Sequence, residues 1–461
     1  PPPPPPPPPF FFTPTSRQPR SSLVSGLGDV YKRQGLYEYL TEYFDKKGYE
    51  YSVLDSKHYG LPFETEDYVT PEGIASFIKA LRLPFRIRDY QLKGVYEAIK
   101  HNRKLLLSPT GSGKSLIIYS LVRWHLAKER EVLIIVPTTS LVEQLYKDFR
   151  DYGYNVKHIH RIYQGHEKDT TKRVVISTWQ SVYKLPKKWF ADFGVVIGDE
   201  AHLFKSQSLT TIMTKMTNCK YRIGMTGTLD GSKTHKLVLE GLFGAVNKVA
   251  QTTDLIEKKQ LAKFKIHCLI LQHGKNARDY LKDKTYQEEM DYLCASKSRN
   301  NYIKNLCVGL QGNTLCLFQY VEKHGKVLEE LIRLKDPERK VFFVYGGVNA
   351  DEREEIRAIT EKSDSAIIVA SYGTFSTGIN IRNLHNIVFS SPSKSRIRNL
   401  QSIGRGLRLG DNKTNATLYD IADDVSYGEK ENYTLQHFRE RINIYNEESF
   451  DYEIHNVELK E

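Results

Sequence analysis

Two short segments of this chain carry residue types that can bind and split a phosphoanhydride. The first is Ser108-Pro109-Thr110-Gly111-Ser112-Gly113-Lys114-Ser115. Its glycines let backbone amides turn inward around phosphate oxygens, and a helix starting at this point adds a favourable dipole. Thr110, Gly111, Ser112 and Gly113 would form the cradle, Lys114 would reach the β- and γ-phosphates, and the Ser115 hydroxyl would ligate Mg²⁺. The second is Asp199-Glu200-Ala201-His202. On a helix it would be an ordinary solvated charge cluster. It follows an apolar run (FGVVIG), however, and a carboxylate ending a strand can hold Mg²⁺ while its neighbour orients the attacking water. Thr226-Gly227-Thr228 ends a later apolar run and is the expected relay from His202. Upstream lies Arg88-Asp89-Tyr90-Gln91, where Gln91 can read an adenine edge and Tyr90 or Arg88 can stack on the base.

The second half of the chain offers cations to the same chemistry. In Gln401-Ser402-Ile403-Gly404-Arg405-Gly406-Leu407-Arg408, the two arginines are three apart and would share a helical face. Two guanidinium groups presented to a γ-phosphate neutralise the charge that develops there. Gly378 falls in the loop Ala370–Asn380, which would bridge nucleotide and nucleic acid, together with Tyr372 and Thr374. Three further segments supply candidate nucleic-acid contacts: Pro137-Thr138-Thr139, Thr178-Trp179-Gln180, and Phe318-Gln319-Tyr320. Hydroxyls, backbone amides and helix N-termini bind phosphates without reading sequence. Trp179 either stacks on a base or is a core residue beneath its loop. The lysines between 184 and 188 either form a solvated face or touch the strand. Outside these motifs the sequence shows no nuclease-like cluster of carboxylates or histidines.

The elements that must position these residues can be read from the apolar runs. KLLLS (104–108), EVLIIVP (131–137), RVVIS (173–177), FGVVIGD (193–199) and YRIGMTG (221–227) alternate with helix-length stretches such as 114–127 and 141–152. Unbroken apolar runs of this length suit parallel strands buried on both faces, and the alternation predicts βαβ units in a doubly wound sheet. After a looser segment, TLCLF (314–318), KVFFVYG (340–346), SAIIVAS (365–371), HNIVFSS (385–391) and ATLYDI (416–421) repeat the design. Two α/β lobes of this kind place a nucleotide cleft between them. Helices are also predicted at 35–50, running into a strand near Asp55, and at 71–81.

The bulk numbers are compatible with this reading. The 461 residues carry a formal net charge of +12, which suits a polyanionic partner. No stretch approaches the ~20 apolar residues of a membrane helix, so no spanning segment is expected. The five cysteines form no CxxC pair, and their odd number fits no closed disulfide set, so they read as reduced core residues. Residues 1–34 open with nine prolines and three phenylalanines and are expected to be disordered or non-native.

Taken together, SPTGSGKS, VPTTSLVEQ, STWQSV, GDEAH, GMTGTL, ASYGTFSTGINI and QSIGRGLR make the chain resemble superfamily-2 helicases over residues 83–425. It is similar in particular to the UvsW helicases of T-even-type bacteriophages, through IIVPTTSLVEQ, STWQSVYKLPKKWF, KTYQEEM and LYDIADD. The resemblance implies two tandem RecA-like lobes, at 83–228 and 266–425, with a connector at 229–265 and a closing helix and strand at 426–461. Residues 35–82 would be the remnant of an N-terminal DNA-binding domain and its linker. It further implies an ATP- and Mg²⁺-dependent monomer in a bacterial host's cytoplasm, acting on single-stranded and branched DNA (forks, Holliday junctions, R-loops) in recombination, repair and replication. Single-strand-binding or recombination proteins would be its partners. A duplex translocase that does not separate strands and an RNA helicase are the alternatives.

Overall fold

A computed structural model describes residues 34–49, 69–378, 381–393, 395–410 and 413–460. The low-complexity start and the strand expected near Asp55 lie outside the described residues. The chain divides into two compact units. One runs to Ala250, apart from the loop tripeptide Pro109–Gly111, and the other runs from Gln251.

The first unit is built on a seven-stranded sheet of order β3-β4-β2-β5-β6-β1-β7. Its strands are β1 (Arg103–Leu107), β2 (Glu131–Val136), β3 (Ile159–Ile162), β4 (Val174–Thr178), β5 (Phe193–Asp199), β6 (Tyr221–Thr226) and β7 (Val246–Lys248). All neighbouring strands pair in parallel. The apolar runs are explained by burial on both faces. Ile134, Ile176 and Ile197 join one core, while Leu133, Val175 and Val196 join the other. Six labelled helices matter here: α1 (Tyr37–Lys47), α2 (Pro71–Ala80), α3 (Asp89–Lys100), α4 (Lys114–Ala127), α5 (Thr139–Asp151) and α6 (Trp179–Val182). Every residue of α4 from Leu116 to Val122 is buried, which explains why that helix lacks a polar face.

Two stretches of this unit differ from the sequence reading. Residues 229–265, expected as a connector, include a helix α7 (Lys233–Phe243) and the edge strand β7, which pairs with β1 at Leu105↔Val246. A three-residue strand that is half-exposed leaves no apolar run to find. In α2, expected within a remnant and linker, Ile74 and Ile78 are buried in the core beside Val95 and Ile99 of α3. At the other side, Tyr39 of α1 donates a 2.8 Å hydrogen bond to Glu240 of α7.

The second unit repeats the architecture with order β10-β11-β9-β12-β13-β8-β14, again parallel throughout. The strands are β8 (Lys263–Gln272), β9 (Thr314–Phe318), β10 (Val341–Val344), β11 (Ile367–Ser371), β12 (Asn386–Phe389), β13 (Asn415–Asp424) and β14 (Tyr452–Glu458). Helices α8 (Lys297–Gly309), α9 (Tyr372–Gly378), α10 (Arg396–Gly406) and α11 (Tyr433–Glu447) flank it. Strand β8 begins inside the expected connector, and β14 pairs with it along its whole length, so the closing helix and strand belong to this sheet.

Two buried ion pairs anchor helices to β13. The Arg299 guanidinium of α8 donates to both oxygens of Asp423, at 2.8 and 3.0 Å, and to the Ser390 carbonyl at 2.8 Å. Burial acts to raise the Asp423 carboxyl, but Arg299 and His273 outweigh it and hold the group far below the usual carboxylate range. Arg441 Nε of α11 likewise donates to both oxygens of Asp420, at 2.8 and 3.0 Å. All five cysteines are free and buried. Among the described residues no helix is long and apolar enough to cross a membrane.

Candidate active site

Because the first sheet is parallel, strand ends with chemical groups collect at one edge. Leu107, just before the phosphate-binding loop, pairs with Thr226, and Asp199 pairs with Met225. The loop closes on itself. The Ser108 amide donates to the Thr226 carbonyl at 2.8 Å, the Ser108 and Ser112 hydroxyls lie 2.6 Å apart, and Lys114 Nζ donates to the Ser108 carbonyl at 3.2 Å. Gly111 and Gly113 have φ of +84° and +82°, in the left-handed region that side chains resist. A Cβ at Gly113 would also sit 2.4 Å from Gln91 Nε2.

Gln91 serves this loop. Its amide nitrogen donates to the Ser112 carbonyl at 2.8 Å, and its amide oxygen accepts from the Arg88 backbone at 3.0 Å. Tyr90 donates to the same carbonyl at 2.8 Å and accepts from Arg88 Nη1 at 2.9 Å. The segment expected to meet adenine thus also holds the phosphate loop, a role visible only in three dimensions. Ser115 has an unforeseen partner, the Tyr152 hydroxyl at 2.8 Å.

At the end of β5, Asp199 is buried, and its carboxyl is pushed up to about 6. Burial is the main cause and the adjacent Glu200 adds to it, against the opposing pull of Lys114, the Glu200 amide and His202. Two neighbouring carboxylates of this kind favour a cation that takes the proton's place. Together with the Ser115 hydroxyl and the open glycine cradle, these donors suit a hard divalent ion carried with a nucleotide. Glu200 adopts φ +50°, strained for a residue with a side chain, at a cost on the order of 1–3 kcal/mol. Its Oε2 lies 3.3 Å from His202 Nδ1, which lies 3.0 Å from Thr226 Oγ1. Thr226 Oγ1 in turn donates to the Thr228 carbonyl at 2.9 Å. Glu200, His202, Thr226 and Thr228 are thus linked by successive polar contacts. The sequence reading missed their support: His235 Nε2 contacts the His202 carbonyl at 2.9 Å, and Asp230 pairs with His235 Nδ1 at 2.7 Å.

The nucleic-acid candidates divide by exposure, and Thr178 falls on the buried side, its hydroxyl 2.9 Å from Ser181 Oγ. Pro137, Thr138 and Thr139 lie where β2 gives way to α5, and Thr178, Trp179 and Gln180 where β4 gives way to α6, on the same sheet edge as the phosphate loop. Gln180 Nε2 reaches the Pro137 carbonyl at 3.4 Å. The hydroxyl of Thr138 accepts from Leu141 N at 3.3 Å as a helix cap. Trp179 is half-buried against the core and meets Tyr183 edge-on. Three candidates in the second unit require correction. Phe318 is fully buried, stacked 5.4 Å from Phe343, and Tyr372 is buried with its hydroxyl on the Ser391 carbonyl at 3.0 Å. Their side chains fill the core because each stands where a buried strand ends, so neither is available to a strand of DNA. Thr374 is also buried, and its hydroxyl accepts from Ser371 Oγ at 2.8 Å.

Gly378 ends α9, and Gln401 and Arg405 lie on α10, where Arg405 sits 5.5 Å from the Phe375 ring centre. Helix α10 stops at Gly406, so Arg408 does not share its helical face with Arg405 as expected from spacing. Lys413, a residue not foreseen, sets this turn instead. Its buried ammonium donates to the carbonyls of Gly406, Arg408 and Arg382, the last two at 3.0 and 3.4 Å. Burial, with Arg408 nearby, pushes this amine down to about 7.

Comparison with known proteins bears on what this arrangement is. The family described as Type III restriction enzyme, res subunit, matches residues 84–231, and the helicase conserved C-terminal domain matches residues 297–410. The ATP-dependent DNA helicase uvsW of Enterobacteria phage T4 is 37% identical over 389 residues, covering 80% of this chain and 77% of that protein. The chain belongs to the UvsW family of superfamily-2 helicases. It is accordingly an ATP-hydrolysing helicase. The crystal structure of T4 UvsW aligns at 33% identity over 93% of this chain and 88% of that one, with a TM-score of 0.44. The ATP-dependent Type ISP restriction-modification enzyme LlaBIII, solved bound to DNA, shares the fold at 17% identity and a TM-score of 0.60 over 82% of this chain and 32% of its own. The tandem RecA-like architecture of the UvsW family is that of the two parallel sheets described above.

Proposed function

We propose that this UvsW-family helicase uses ATP and Mg²⁺ to remodel branched DNA, including forks, Holliday junctions and R-loops, in recombination, repair and replication. The observation that carries the catalytic half is the unbroken contact from Glu200 through His202 to Thr226, one strand away from the phosphate loop. The glycine cradle binds the phosphates, Lys114 neutralises the β- and γ-oxygens, and Ser115 and Asp199 hold the divalent ion. That ion supplies charge neutralisation on the phosphate oxygens. Glu200 orients the attacking water, and His202 carries the state of the site to the Thr226 loop. Arg405 and Arg408 supply the transition-state cations. The DNA half is supported by the T4 relative's being a DNA helicase and by a net charge of +12. Thr138, Thr139 and Gln180 would grip the backbone without reading bases. The working form is a monomer in the host cytoplasm, and single-strand-binding or recombination proteins would be its partners.

Steady-state ATP hydrolysis tests the proposal, measured without nucleic acid and with single-stranded DNA, duplex, a four-way junction or RNA. DNA stimulation that is strongest on the junction, and lost in Lys114→Ala, is the expected result. Equal stimulation by plain duplex with no strand displacement on a fork would replace the helicase with a duplex translocase. Stimulation by RNA alone would overturn the DNA assignment.

A further inference from the structure

On the exposed face where the last strand meets the sheet, three potential metal ligands converge. Strand β14 pairs in parallel with β8 so that Glu453 lies opposite His267, and His455 stands two residues further along the same face. His267 Nδ1 and His455 Nε2 are 3.2 Å apart, His267 Nδ1 and Glu453 Oε2 are 3.5 Å apart, and His455 Nε2 and Glu453 Oε2 are 3.6 Å apart. The same three atoms therefore close a triangle. A tetrahedral ion with ligand bonds of about 2.0–2.1 Å has ligand–ligand edges of about 3.3–3.4 Å. The three ligand atoms already have the spacing such an ion requires. Among the described residues, this is the cluster of histidine, cysteine and carboxylate side chains close enough to share one ion.

We propose that His267, Glu453 and His455 form a binding site for a borderline divalent transition ion such as Zn²⁺, Co²⁺ or Ni²⁺. Two imidazole nitrogens and one carboxylate oxygen select such ions over Mg²⁺ and Ca²⁺, which prefer all-oxygen shells. The surroundings hold the ligands in place. Lys265 Nζ contacts Glu453 Oε1 at 2.7 Å, which engages that oxygen and leaves Oε2 toward the imidazoles. The Tyr419 ring lies nearly parallel to His267, 19° between planes and 5.5 Å between centres, and limits its rotation. Solvent exposure of Glu453 and His455 leaves a fourth position for water, which makes the site exchangeable rather than a permanent structural centre. The ion would clasp β14 to β8, linking histidines 188 residues apart in the chain.

The test uses the full chain without a histidine tag, stripped with a chelator and kept in excess Mg²⁺–ADP so that the nucleotide site is filled. Co²⁺ is titrated while its visible absorption is followed, on the parent and on His455→Ala, His267→Ala and Glu453→Gln. The parent should take up one equivalent with a tetrahedral or five-coordinate spectrum lacking thiolate charge transfer. Either histidine variant should lose that equivalent, and Glu453→Gln should bind at least about tenfold more weakly. Zn²⁺ should raise the melting temperature of the parent and leave that of His455→Ala unmoved. Equal uptake by the parent and His455→Ala, or no uptake by the parent at 100-fold excess metal, would overturn the proposal. The ATPase rate of His455→Ala in Mg²⁺ should match the parent, so a failed metal site and a failed helicase reading are told apart.

Discussion

The two sheets share a design, yet they treat the carboxylates at their strand ends in opposite ways. In the second unit Asp423 and Asp420 each receive an arginine from a flanking helix on both carboxylate oxygens, and both pairs are wholly buried. In the first unit Asp199 is also buried, but next to it stands a second carboxylate rather than a guanidinium, and its carboxyl is pushed up to about 6. The contrast separates structure from function. A buried carboxylate satisfied by the chain's own cation is part of the scaffold. One that the chain's own Lys114 and His202 offset only in part is poised for a ligand cation, and its destabilising electrostatics are the cost of activity.

Breaking each kind of carboxylate site tests that difference most severely. Arg299→Ala strands the Asp423 charge in the core and should cost about 3–5 kcal/mol in urea unfolding of the second unit. A loss below about 1 kcal/mol would place Asp423 with the ligand-binding class instead. The mirror experiment removes carboxylates from the first unit. Asp199→Asn or Glu200→Gln should lower ATP turnover by roughly 10²–10³-fold. The melting temperature should stay level or rise, because each change relieves repulsion.

A smaller effect is expected at Thr226→Val. It takes the hydroxyl partner from His202 while leaving the phosphate loop intact, and should reduce DNA-stimulated hydrolysis about tenfold. Basal hydrolysis should change much less, which a comparison of rates with and without DNA would read out. The mildest discriminator is pH. Asp199 takes a cation only when ionised, so hydrolysis should fall as pH drops through about 6, and added Mg²⁺ should move the midpoint lower. Asp423 has a depressed folded value. Its contribution to stability is present above the ordinary carboxylate range and disappears only as strongly acidic pH protonates it. Activity should therefore fail at a higher pH than folding does, and coincident midpoints would remove the distinction.

Much of the catalytic edge was legible because its signals are local. The phosphate loop is eight consecutive residues between a strand and a helix, and α4 occupies Lys114–Ala127, the helix-length stretch that follows the first apolar run. Apolar runs such as FGVVIGD became strands because a segment buried on both faces has to be apolar at every position. Where the signal was weak, the reading slipped. β7 has only three residues, none of them buried, and Phe318 and Tyr372 stand where apolar runs end, a position that does not say whether the side chain stays in the core.

The sequence by itself determined the chemistry on offer: a cradle for phosphate, adjacent carboxylates, a histidine, and paired arginines. Local conformation and residue type depend on near neighbours, so short windows carry that information. Only the tertiary structure decided which distant groups answer one another. Asp423 meets Arg299 across 124 residues, Lys413 secures the Arg408 turn, and His267 meets His455 across 188. Such pairings depend on strand order and on which faces are pressed together. These follow from packing the whole chain at once, and no window of sequence contains them.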